Sequence, residues 1–456
     1  MYMLKSIRDL SATPRRACCG VGLHVARPRP DEASEAAVGS VGNAMSEPPT
    51  TRPPTARPHP TRPQTTLLVT LTGRDRPGVT SRLFTGLSEH ELTVLDVEQV
   101  VIRGHLVLGA LLACPASPDL TAIHRAVTSI ADDLGMNVEI TLGSGEHWRQ
   151  RGRLHVTVLG SPLTPGVVAA IAGRVAVSGA NIDKIGRLAR EPVTCIELEV
   201  SGADLETLRT DLARESVGLG ADIAVQRGGL HRRAMRLVVM DVDSTLLQDE
   251  AIDLLADRAG RAAEVEALTN AAMRGDIDYG AALRQRVQLL AGLDATVLDE
   301  LTEKLRLTPG ARTLVRTLKR LGYRCGVVSG GFTQITDWLT ATLGLDYAAA
   351  NTLEIADGKI TGRITGELID RPGKERMLRQ FAAEAGVPLS QTVAVGDGAN
   401  DLDMIAAAGL GIAFNAKPMV RNAADASVSV PHLDVILYLL GISREDVEAA
   451  DAADTS

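Results

Sequence analysis

At residues 236–240 the apolar run RLVVM leads straight into acid, with Asp241 and Asp243 following inside MDVDSTLLQDE. A buried strand that ends on two carboxylates must pair them or supply a cation, because desolvated charge is costly. A calcium loop beginning Asp-x-Asp needs glycine at its sixth position and a bidentate Glu at its twelfth. Leu246 and Ile252 stand there instead, which excludes that loop. What remains is a strand–turn–helix junction whose acids are either solvated or part of a site.

The downstream chain bears on that choice. From about residue 234 strands alternate with helices, the pattern of an α/β fold with a doubly wound parallel sheet. Several strands again end in polar residues. RCGVVS reaches Ser329, TVAVGDGAND carries Asp397, Asn400 and Asp401, and RPGKERML places Lys374 shortly before that last strand. Open α/β sheets bind ligands at the carboxyl ends of their strands, so one crevice is expected to collect these groups.

Upstream the chain repeats itself. VTLTG at 69–73 recurs as VTVLG at 156–160, 87 residues on, and Pro77–Gly78–Val79 recurs as Pro165–Gly166–Val167. That period is too long for a solenoid, so each copy is expected to be a small domain. Strands rich in Val, Leu and Ile, punctuated by Gly and Pro, give each a βαββαβ pattern, the ferredoxin-like arrangement. With GRDRPGVTSRLF at the first strand–helix turn, residues 66–145 resemble an ACT domain, an amino-acid-sensing module. Residues 153–228 resemble it less closely, since GSPLTPGVV lacks the acid. The resemblance implies an amino-acid effector near Asp75 and Gly78, where free N–H groups at a helix start suit a carboxylate.

Residues 1–65 hold 10 of the 21 prolines and no sustained apolar period, which predicts a disordered tail, with Met45 an alternative first residue. It lacks the continuous apolar core of a signal peptide. A formal charge of −8, a pI near 5.7 and the lack of a long basic block outside the tail argue against a nucleic-acid partner. No apolar run nears the roughly 20 residues that span a bilayer. Five scattered cysteines form neither a metal spacing nor a disulfide framework, which predicts a cytoplasmic location.

The order DxDST, VVSGG, GKE, GDGAND resembles the haloacid dehalogenase (HAD) superfamily of phosphotransferases. This resemblance implies that Asp241 is the nucleophile and Asp243 the general acid and base, while Ser329 and Lys374 hold the phosphoryl group. It further implies Mg²⁺ on the side chains of Asp241 and Asp397 and the backbone carbonyl of Asp243, with Asp401 supporting them. The helical stretch from about 250 to 306 matches the small cap of these enzymes. Through DSTLLQDE, AAMRGDIDYGAALRQRV, VVSGGF and VGDGAND, residues 234–445 resemble the phosphoserine phosphatase family in its long form with two ACT domains.

For an O-phosphoserine substrate the resemblance implies Glu250 on the ammonium and Arg286 on the carboxylate. Met273 and Tyr279, the latter often Phe in the family, would form an apolar wall, and Gly330, Gly331 and Asn400 would lie nearby. Residues 446–456 are expected to be a tail, and paired ACT domains imply a homodimer or larger homo-oligomer. One rival is a phosphotransferase that uses another alcohol, such as homoserine. A second is an amino-acid-binding regulator with a vestigial catalytic domain, although Asp241, Asp243, Ser329, Lys374 and Asp397 are all intact.

Overall fold

A computed structural model describes residues 65–144, 153–274 and 276–454 of the chain, so nearly all of the proline-rich tail lies outside the described residues. Two compact units divide it, one through residue 146 and one from residue 147.

The first unit runs β1 (Thr65–Arg74), α1 (Val79–Leu87), β2 (Thr93–Ile102), β3 (His105–Ala113), α2 (Leu120–Leu134) and β4 (Asn137–Ser144), with the antiparallel sheet ordered β2-β3-β1-β4. Alternation along β1 sends Leu67, Val69 and Leu71 inward against Val79, Leu83, Ile123 and Val127. Asp119 caps α2 by accepting the Ala122 N–H. Gly78 opens α1 at φ 94°, and its turn is exposed together with Asp75.

The same order returns in the second unit as β5 (Leu154–Gly160), α3 (Pro165–Val177), β6 (Asn181–Ala189), β7 (Thr194–Ser201), α4 (Leu205–Leu219) and β8 (Ala221–Arg227), in a sheet ordered β6-β7-β5-β8. Thr164 caps α3, and Pro165 begins it where its missing N–H costs nothing. This module is fused to the C-terminal domain. Leu159, Ala189, Val193, Cys195 and Ala224 join that domain's large core. The Arg232 guanidinium, in α5 (Leu230–Arg233), donates to Glu197 and to the Tyr438 and Leu439 carbonyls, and Ser429 donates to Asp222.

The C-terminal domain is built on a seven-stranded sheet ordered β12-β11-β10-β9-β13-β14-β15. These strands are β9 (Leu237–Met240), β10 (Arg324–Phe332), β11 (Tyr347–Ala356), β12 (Lys359–Thr365), β13 (Thr392–Gly396), β14 (Leu410–Phe414) and β15 (Ala426–Val428). The pairings are parallel, as expected, with an antiparallel hairpin β11–β12 added at one edge. The order turns at β9, with β10 on one side and β13 on the other. A crevice opens at such a switch point.

After β9 come the cap helices: α6 (Ala251–Ala259), α7 (Ala262–Arg274), α8 (Tyr279–Gln288) and α9 (Val297–Thr302). The sheet is then flanked by α10 (Ala311–Arg320), α11 (Thr333–Leu343), α12 (Arg371–Glu384), α13 (Leu402–Ala407), α14 (Pro418–Ala423) and α15 (Ile436–Leu439). Of the expected tail at 446–456, the residues through Asp454 are helical. Residues Arg444–Asp454 form α16, held to the body where Arg316 and Arg320 meet Asp451. Among the described residues no helix is long and apolar enough to cross a membrane.

Candidate active site

Three adjacent strand ends and one helix start build the site. Asp241 sits at the tip of β9, its N–H donating to the Val395 carbonyl of β13 at 2.8 Å. A tight turn over Val242–Leu246 then brings Asp243 round beside it. The Asp243 carboxylate accepts from the Ala251 N–H (3.0 Å) and from the Ser329 hydroxyl at the end of β10 (3.2 Å). Ser329 Oγ in turn accepts the Gly331 N–H at 2.8 Å. Burial, the dominant cause, raises the Asp243 carboxyl above its ordinary value; the Ala251 hydrogen bond and Lys374 oppose it.

Lys374 enters from the first turn of α12, whose cap Asp370 accepts the Gly373 N–H. Only 1% exposed, its ammonium donates to Asp241 and, at 2.7 Å, to Asp401. Burial pushes that ammonium down, but the two carboxylates outweigh it and hold it above its ordinary value. The other Asp401 oxygen accepts the Gly398 N–H at 3.0 Å. Asp397, just past β13, is raised to about 7, first by burial and then by Asp401. Burial and Asp401 also raise Asp241.

Asp241, Asp397 and Asp401 each offer an oxygen within 4.8 Å of the others. Both Asp401 oxygens are already engaged, which leaves Asp241 and Asp397 to face a cation. An all-oxygen donor set in which Asp401 and Asp397 raise the Asp241 carboxyl fits a hard divalent ion.

A cavity of about 270 Å³ opens over these groups and reaches the cap. Glu250, Tyr279, Arg286, Gly330, Gly331 and Asn400 all line it. Arg286 is 7% exposed; one terminal nitrogen donates to Thr269 Oγ1 at 3.3 Å, and its buried Nε has no partner among the described residues. A buried guanidinium lining a cavity suits a carboxylate ligand. Burial, then Asp253 and Asp243, raise Glu250, against Arg286 and Lys417. The Met273 side chain lies outside the described residues. Asp75 and Gly78 belong to the other unit.

Three participants escaped the sequence reading. Lys417 and Met419 line the cavity from the start of α14, beyond the strand β14. The strand-end rule that found the others applies equally to LGIAFNAKP. Asn351, fully buried in β11, donates to the Gly330 carbonyl (2.9 Å) and accepts the Ile369 N–H (2.8 Å). It fastens the serine loop to the segment that leads into α12. Only its polarity inside an apolar strand signals it.

Comparison with known proteins agrees with this architecture. The family profile for haloacid dehalogenase-like hydrolases matches residues 238–406, and ACT domain profiles match 65–141 and 154–226. A phosphoserine phosphatase of Streptomyces coelicolor is 61% identical over 387 residues, covering 85% of this chain and 94% of the relative. The phosphoserine phosphatase SerB2 of Mycobacterium tuberculosis is 51% identical over 392 residues, covering 85% and 96%. Among solved structures, a probable phosphoserine phosphatase from Vibrio cholerae superposes with a TM-score of 0.50 at 32% identity, covering 65% of this chain and 88% of that one.

Proposed function

The chain belongs to the phosphoserine phosphatase family of HAD hydrolases, and from that premise we propose that it hydrolyses O-phospho-L-serine to L-serine and phosphate through an aspartyl-phosphate at Asp241. The observation that carries the reading is the convergence of Asp241, Asp243, Ser329 and Lys374 beneath one cavity that the buried Arg286 also lines. Asp241 attacks phosphorus, and Asp243 gives its proton to the departing serine oxygen, which is consistent with its raised carboxyl. Asp243 then takes a proton from the water that splits the acyl-phosphate. Ser329 donates to a phosphoryl oxygen, and Lys374 supplies fixed positive charge where it develops. Glu250 meets the substrate ammonium and Arg286 its carboxylate. Mg²⁺, held by Asp241, Asp397 and the Asp243 carbonyl, would supply the charge that lets an anion attack a dianion.

Assay of purified protein with Mg²⁺ against a panel of phosphorylated metabolites tests the substrate. Phosphoserine should give the highest kcat/KM, and added homoserine should not divert phosphate from water. Transfer to homoserine in place of hydrolysis would favour a phosphotransferase.

The metal assignment carries a pH prediction. Folded Asp397 keeps its proton to about 7, against an ordinary 3.8. Between those values the native state binds more protons than the unfolded one, so metal-free stability should fall as pH rises through that window. Mg²⁺ competes with that proton, so the rise in Tm on adding Mg²⁺ should be larger at pH 8 than at pH 5. An equal rise at both would remove Asp397 from the metal site.

We further assign a regulatory amino acid, serine, to the N-terminal module, in a cytoplasmic homo-oligomer. Gly78→Ala should weaken serine binding measured by calorimetry on the full chain while leaving kcat and KM without serine unchanged. Its mechanism is strain at φ 94°, not crowding, since none of the described residues lies within 4 Å of an added Cβ. Unchanged serine affinity would remove this turn from the effector site.

A further inference from the structure

The family resemblance leaves Tyr279 as an apolar wall, yet its hydroxyl lies against the Ser329–Gly330 turn. That oxygen lies 2.2 Å from where a Cβ on Gly330 would be, and Gly330 directly follows Ser329. After burial, the strongest influence on the phenol is Lys374, and none of the described hydrogen bonds engages it. Donors around the phosphoryl position are scarce. The Ser329 hydroxyl donates to Asp243, the Gly331 N–H is spent on Ser329 Oγ, and the Lys374 ammonium already donates to Asp241 and Asp401. Burial raises the phenol above its ordinary value, so it stays protonated and able to donate.

We propose that the Tyr279 hydroxyl donates a hydrogen bond to a phosphoryl oxygen of the substrate, a contact that phenylalanine at this position cannot make. Tyr279 is then a substrate-contacting residue, and Gly330 is glycine because the hydroxyl occupies the space of a Cβ. The proposal rests on the phosphomonoesterase reading of the cavity, not on which ester it prefers.

The test uses full-length protein with Mg²⁺, O-phospho-L-serine, p-nitrophenyl phosphate, and inorganic phosphate as inhibitor. Tyr279→Phe should lower kcat/KM roughly 10- to 100-fold for both esters and weaken phosphate inhibition similarly, the scale of a hydrogen bond to a charged group. A loss confined to phosphoserine would assign the hydroxyl to the amino-acid end and overturn the proposal, as would no loss at all. Gly330→Ala should be severe in the parent and relieved in Tyr279→Phe, because the ring carbon Cζ, at 3.5 Å, is at ordinary contact distance. Equal damage in both backgrounds, with melting curves showing folded protein, would also overturn it. Should the parent turn over p-nitrophenyl phosphate but not phosphoserine, the substrate assignment fails while the other arms still judge Tyr279.

Discussion

Asp241→Asn is expected to abolish phosphate release from phosphoserine, by on the order of 10⁶-fold, the scale on which removing a covalent nucleophile acts. An amide cannot become an acyl-phosphate. The fold should survive, because the backbone bond from residue 241 to Val395 is untouched and Lys374 keeps Asp401 as its counter-ion. Acid quenching during turnover of labelled p-nitrophenyl phosphate separates the two acids. The parent should carry labelled protein, and Asp241→Asn should carry none. Asp243→Asn should be slower by roughly 10²–10⁴-fold on phosphoserine, yet it should accumulate label, since p-nitrophenolate leaves without a proton while hydrolysis still lacks its base. Ordinary turnover by Asp241→Asn would sink the nucleophile assignment.

Much of this site was legible because a parallel sheet is buried on both faces. Its strands read as unbroken apolar runs, so polar groups at their ends stand out, as after RLVVM and TVAVG. Their convergence follows from β9 lying between β10 and β13, a topology that the sequence implies only through the βα alternation. The repeat was equally plain, because its strand and turn residues recur in phase. What stayed hidden depends on tertiary contacts. Asn351 bonds two backbone groups, of Gly330 and Ile369, that only the fold brings together. Alanine-rich α16 has too weak an apolar period to declare itself, and it is held by arginines 131 and 135 residues away. The β11–β12 hairpin did carry a signal, Asp357–Gly358, both at positive φ as its tight turn requires. The fusion of the second module to the catalytic core shows in β8, where six of seven residues are buried and the half-buried alternation of an open sheet is gone.

Lys374→Met is expected to separate catalysis from folding. The ammonium is the cation donating to both Asp241 and Asp401, deep in the protein. Removing one member of a buried ion pair typically costs about 3–5 kcal/mol, because it leaves uncompensated charge. Here the carboxylates can relieve that charge by taking up a proton. The loss in Tm should therefore be largest at pH 8 and shrink toward pH 5, and Mg²⁺ should restore part of it. Turnover should not recover with it. Without a fixed cation on the phosphoryl group, kcat should stay down by roughly 10²–10³-fold, the scale of one lost electrostatic donor. Adding Asp401→Leu to Lys374→Met removes the orphaned charge and should regain stability, since apolar replacement of buried ions is often neutral or better. Activity should stay as low as in Lys374→Met, because Asp401 would have acted only by positioning Lys374 and the Gly398 N–H. If Lys374→Met instead kept kcat within tenfold of the parent, the lysine would be a structural counter-ion, and phosphoryl stabilisation would pass to Ser329 and the metal site.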